Sequence, residues 1–122
     1  MAIPVPGKPV RGSQSGAPIM ALFDLLGRSW AMGIVWNLNE GPLNFRELQE
    51  RCESVSPTTL SKRIKELRET MIVTRTDVGY TLTPSGRKLY EHMQPLSRWS
   101  KAWARRLEAQ GRPVDSAKKS KR

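Results

Sequence analysis

Apolar and polar positions alternate along this chain with two periods, and each period marks its own elements. Ile19, Met20, Leu22, Phe23, Leu25 and Leu26 predict a short helix that is apolar on most sides, opened by Pro18 and ended by Gly27. A second helix is expected over Trp30–Leu38, with Ser29 as its N-cap and Asn39-Glu40-Gly41-Pro42 as its stop. After a brief strand at Leu43, Asn44 is the cap residue for a helix over Phe45–Cys52, where Phe45, Leu48 and Cys52 share one face. Ser56-Pro57 opens a longer helix that runs to about Thr70, with Leu60, Ile64, Leu67 and Met71 as its buried stripe.

The period then shortens to two. Ile72–Asp77 and Tyr80–Leu82 read as strands joined by a tight turn at Asp77-Val78-Gly79. Thr83-Pro84 starts a last helix that Gly111 ends. Its apolar positions Leu89, Met93, Leu96, Trp99, Trp103 and Leu107 are spaced by 4, 3, 3, 4 and 4, close to a heptad seam. Pro95 should kink that helix or split it. The predicted class is mainly α with a small β-hairpin.

Length and charge narrow the picture. The 122 residues suffice for one domain. Pro4, Pro6, Pro9 and Gly7, Gly12, Gly16 suggest that residues 1–16 form a disordered basic arm. Residues 17–110 would be the folded domain, and 111–122 a second disordered basic tail. The formal net charge of +10 favours an anionic partner, but six of those charges lie in the two terminal segments and four in the middle. The N-terminal MAIPVPGKPV has no apolar core of a secretory leader, and there is no run of about 18 apolar residues to cross a membrane. One cysteine (Cys52) and one histidine (His92) leave no metal-ligand spacing. With no phosphate loop and no nucleophile elbow, neither enzymatic activity nor a cofactor is expected.

Two helices joined by a short turn and followed at once by a hairpin make a winged helix-turn-helix candidate. On the helix after Ser56, the inward stripe leaves Thr58, Thr59, Ser61, Lys62, Arg63 and Lys65 facing outward. All of them form hydrogen bonds and none is acidic, which suits a helix entering a DNA major groove. Arg28 and Arg46, at helix starts, and Arg75, at the hairpin base, are further candidates for phosphate contacts. Trp99 and Trp103, one turn apart, would expose a large apolar stripe on a monomer. They are assigned to a dimer interface, with packing against the first helix as the alternative.

The residues that carry a family resemblance are spread over about 17–99. They are Leu25-Leu26-Gly27 followed by Trp30, Gly41-Pro42 followed by Phe45-Arg46-Glu47-Leu48, Ser56-Pro57, Leu60-Ser61, Arg63-Ile64-Lys65-Glu66-Leu67, Val73-Thr74-Arg75, and Tyr80-Thr81-Leu82-Thr83-Pro84-Ser85-Gly86. With Trp99 beyond them, the chain resembles the HxlR-type winged-helix regulators of bacteria and archaea. The resemblance implies a cytoplasmic, nucleoid-associated homodimeric transcription factor on double-stranded DNA. Its first and last helices would make the dimer, which adds Leu22, Phe23, Leu89, Met93, Leu96 and Leu107 to the interface. An unidentified small-molecule effector is compatible with it.

Three positions depart from the family pattern. Ala17 stands where some members carry a sensing cysteine ahead of Pro18, and Cys52 reads as a small buried hydrophobe. The hairpin is short, with Asp77 at its tip. Met71 occupies a place the family commonly gives to glycine. The competing functional readings are a sequence-neutral architectural DNA binder and a winged-helix protein-interaction module.

Overall fold

The computed structural model describes residues 3–111. Its order is α1 (Pro18–Leu26), α2 (Ala31–Asn37) running into a 3-10 turn (Leu38–Glu40), α3 (Phe45–Arg51), α4 (Pro57–Glu69), β1 (Val73–Thr76), β2 (Gly79–Leu82) and α5 (Pro84–Ala109). Residues up to Tyr90 form one compact unit and those from Glu91 a second, with α5 contributing to both.

In the first unit the apolar stripes meet as their spacing requires. Ile34, Val35 and Leu38, Leu48 and Cys52, and Leu60, Ile64 and Leu67 are buried together with Leu25, Ala31, Val73 and Leu82. Fully burying one such aliphatic side chain is worth about 1.5–3 kcal/mol. Asn44 caps α3 with a complete capping box: its Oδ1 accepts from the Glu47 N–H at 2.8 Å, and the Glu47 carboxylate accepts from the Asn44 N–H at 2.9 Å. Ser56 Oγ accepts from the Thr59 N–H at 3.2 Å, with Pro57 at the first helical position.

β1 and β2 pair antiparallel, Val73 opposite Leu82 and Thr76 opposite Gly79, and Leu43 adds a single bridge to Tyr80. Gly79 is required there. Its φ is +140°, and a Cβ would lie 2.5 Å from the Leu43 carbonyl oxygen. At Gly86 a Cβ would lie 2.1 Å from the Ile72 carbonyl oxygen, so only glycine lets α5 start this close to the hairpin.

The structure corrects local expectations at Ser29 and Met71 and removes one of the two outcomes expected at Pro95. Ser29 does not cap α2. Trp30 is its N-cap, in the left-handed region at φ 67°, and no side chain caps the helix. Met71 is not in the buried stripe of α4 but 73% exposed. The helix ends at Glu69, and Met71 at φ 63° turns the chain. The Ile72 N–H reaches the Leu67 carbonyl at 2.9 Å and the Met71 N–H reaches the Arg68 carbonyl at 3.1 Å. That is a Schellman closure with methionine in the glycine position, at a cost of about 1–2 kcal/mol. Pro95 does not split α5, which continues through it.

Residues 3–16 hold local turns. Val10 and Ser13 bridge each other, the Gly7 N–H donates to the Gly16 carbonyl at 2.8 Å, and Arg11 pairs with Asp24 at 3.3 Å. The glycines at 7, 12 and 16 all have positive φ, so they close these turns rather than loosen the segment. The basic residues of the C-terminal tail, from Arg112 onward, lie outside the described residues.

In the second unit, described to Gly111, α5 exposes Leu96, Trp99 and Trp103 along one face. The two indole rings stack with centroids 5.6 Å apart and planes 20° from parallel. Leu107 is half-buried, and Met93, expected at an interface, is already buried.

Candidate nucleic-acid interface

α3, its short turn and α4 are positioned by their caps and by the shared burial of Leu48, Cys52, Leu60 and Ile64. That packing turns one face of α4 outward. Thr58, Ser61, Lys62 and Lys65 are exposed on it, spaced by three and four residues. Arg68 continues the row one turn further. Sequence reading missed it by confining the contact face to the first half of the helix, although its spacing of three from Lys65 was visible.

Beside this row lies an open groove of about 490 Å³ between α4 and the hairpin. Its lining includes Ser61, Lys65, Arg68, Thr74 and Tyr80. Thr74, on β1 and exposed, was also missed, because strand alternation does not say which face lies beside a helix. Arg75 is exposed on the hairpin, with its guanidinium carbon 5.6 Å from the centre of the Tyr80 ring. Arg46 is exposed on the first turn of α3. At the hairpin tip the Thr76 hydroxyl donates to the Gly79 carbonyl at 2.9 Å and accepts from the Val78 N–H, so the turn is tight and carries Asp77 outward.

Three expected contact residues are engaged inside the protein. Arg28 is 7% exposed, and its guanidinium donates to Glu66 Oε2 at 2.8 Å and lies 3.8 Å from Asp24 Oδ1. Its place between two buried carboxylates on α1 and α4 could not be read from a pattern local to residue 28. Arg63, expected on the outward face, leans back. Its Nε donates to the Ser29 carbonyl at 2.9 Å, one terminal nitrogen to Ser29 Oγ at 3.3 Å and the other to Glu66 Oε1 at 3.2 Å. Thr59 is half-buried and accepts from the Ser56 hydroxyl at 3.0 Å, so it belongs to the cap.

The charge on α4 is therefore sorted by face. Glu66 is buried at 3% exposure and neutralised by two arginines, while Lys62, Lys65 and Arg68 face solvent. Glu69 is the acid that remains exposed at the far end. Burial pushes the Cys52 thiol from 9.0 up to about 11, with the Glu53 charge adding to it. Cys52 therefore stays protonated near neutral pH and offers no ready nucleophile. Among the described residues no cluster of three or more potential metal ligands occurs, and no single helix is long and apolar enough to cross a membrane.

The same unit holds an apolar cavity of about 460 Å³. Val5, Leu22, Leu25, Met71, Ile72 and Leu89 line it, with Glu69 and Thr70 from the end of α4 at its edge.

Comparison with known proteins places this architecture. Residues 25–108 match the model of the HxlR-like helix-turn-helix family. The HTH-type transcriptional regulator YodB of Bacillus subtilis is 35% identical over 85 residues, which cover 64% of this chain and 76% of YodB. Quinone-bound YodB superposes with a TM-score of 0.64 at 36% identity, covering 69% of this chain and 96% of that one. A possible HxlR family transcriptional factor from Thermoplasma volcanium gives a TM-score of 0.64 at 29% identity, over 72% of this chain and 85% of that one. The chain belongs to the HxlR-like helix-turn-helix family, a family of transcriptional regulators and not of enzymes.

Proposed function

We propose that this regulator is a homodimer that binds double-stranded DNA at specific sites, with α4 as the recognition helix. The observation that carries the reading is the exposed face of α4, where Thr58, Ser61, Lys62, Lys65 and Arg68 line up while Glu66 is buried and neutralised. Thr58, Ser61 and Lys62 would read base edges, because the N-terminal part of a recognition helix is what reaches them. Lys65, Arg68, Arg46 and Arg75 would grip phosphates on either side and set the register. A hairpin this short, with Asp77 at its tip, would contact the backbone through Arg75 rather than enter a minor groove. The protein would work in the cytoplasm on the nucleoid.

The dimer reading rests on Leu96, Trp99 and Trp103. They leave an apolar face on α5 that a soluble monomer would rarely keep open. Leu107 would extend it, and Leu22, Phe23 and Leu89 of the first unit are assigned to the dimer as well, with Phe23 59% exposed. The test is W99A/W103A. The wild type should sediment as a dimer at micromolar concentration. The variant should shift to monomer and bind a two-fold symmetric site about 100-fold more weakly, since its half-sites are then engaged separately. A variant that remains dimeric with unchanged affinity would remove the tryptophans from the interface.

An effector is part of the proposal. The apolar cavity at the end of α4 falls within the size range of about 300–1,000 Å³ typical of small-molecule sites. Quinone is bound in a YodB structure. Here Cys52 is buried and does not line this cavity, so an apolar effector there would bind without a bond to sulfur.

A further inference from the structure

We propose that Glu66 is the positioning residue of the recognition helix: it fixes the rotation and axial placement of α4 through Arg28 and Arg63 and never touches DNA itself. The inference rests on the reading of α4 as the DNA-reading helix.

The geometry is a clamp with one carboxylate at its centre. Glu66 sits on the inner side of α4, adjacent in sequence to Lys65 and one turn from Lys62. Its Oε2 accepts from Arg28, which follows α1, at 2.8 Å. Its Oε1 accepts from Arg63 at 3.2 Å, and Arg63 in turn holds both the carbonyl and the hydroxyl of Ser29. Arg28 also faces Asp24 of α1, which is paired with Arg11 of the N-terminal segment. The α1–α2 connection is thus tied to the middle of α4 at both carboxylate oxygens.

Apolar burial of Leu60, Ile64 and Leu67 holds α4 on the core, but that force has no direction. It resists separation far more than it resists sliding or turning about the helix axis. Charge-assisted hydrogen bonds at fixed angles supply that resistance. Base readout needs it most. A hydrogen bond to a base edge weakens steeply as its angle closes, whereas a flexible lysine follows a phosphate through small shifts of the helix. A clamp on Glu66 should therefore act on site preference and leave bulk DNA affinity nearly alone.

The experiment compares the wild type with E66Q on two probes. One is a duplex that the wild-type protein selects from a randomised library; the other is the unselected library. E66Q keeps the shape of the side chain and removes its charge. Below its melting transition, E66Q should bind the selected duplex about 10-fold more weakly or worse, with library affinity and salt slope within about twofold of wild type. R63K, which cannot span Ser29 and Glu66 together, should lose the same preference and serves if E66Q does not fold. Equal losses on both probes, or lower stability with the preference intact in either variant, would overturn the proposal. A wild type with no preference for any duplex would overturn the underlying reading, and the inference with it.

Discussion

Replacing Arg28 with alanine should lower the free energy of unfolding by about 3–5 kcal/mol, measured by urea denaturation. Arg28 is 7% exposed and stands between two buried carboxylates, Glu66 at 2.8 Å and Asp24 at 3.8 Å. Alanine removes the charge that both carboxylates share; Arg63 beside Glu66 and the largely exposed Arg11 beside Asp24 offset part of the loss, so the lower end of that range is expected. A surface arginine held for DNA phosphate would behave differently. Its removal would cost stability little and affinity much. The double variant R28M/E66L, which removes the Arg28–Glu66 pair and keeps the bulk, should recover part of the lost stability, because an absent buried pair costs less than a broken one, while Asp24 keeps only Arg11. A stability change within about 0.5 kcal/mol for R28A would show that the pair is not a structural element.

The second large effect concerns DNA. K62A/K65A should weaken binding about 100-fold at physiological salt with no loss of stability, because both side chains are exposed. The dependence of log K on log salt should flatten by about 0.9 for each phosphate that is no longer neutralised, and each substitution counts twice in a dimer. Lys62 is also a base-reading candidate, so part of its effect should fall on the selected site alone. Titration of labelled duplex at several salt concentrations measures all three quantities. An unchanged slope would place the phosphate-binding residues elsewhere, on the arm or on α5, whose basic residues include Arg98, Lys101, Arg105 and Arg106.

Most of the architecture is legible from periodicity and local caps. Asn44 with Glu47, Ser56 with Pro57, and the two-residue period after Ile72 are signals within a few residues, and the structure places elements there. For Arg28 and Arg63 the structure differs from the local reading for one reason, which is that the engaging partner lies far along the chain. Arg28 and Arg63 read as phosphate-binding cations because Glu66 is 38 residues from the first and Ser29 is 34 from the second. Thr59 reads as outward because a cap hydroxyl and a DNA-binding hydroxyl look alike in sequence.

The N-terminal segment is ambiguous in sequence for a related reason. Glycine and proline mark both disorder and tight turns, and the Arg11 pair with Asp24 that separates the two is not local. Trp30 and Met71 take left-handed conformations that residue type argues against, and tertiary packing outweighs a penalty of about 1–2 kcal/mol. What survives of the outward face is Thr58, Ser61, Lys62 and Lys65. The structure adds Arg68 and Thr74 beside them.

The most direct measurement of the central claim is a competition between one selected duplex and bulk DNA for the wild-type protein at physiological salt. A dimeric regulator reading base edges through α4 should prefer the selected duplex by about 10³ or more. That duplex should carry two related half-sites about one helical turn apart, centre to centre, or a multiple of it. A ratio near one with a steep salt slope would make the protein a sequence-neutral DNA binder. The absence of useful DNA affinity would make the face of α4 a protein-interaction surface. Either result would contradict the account.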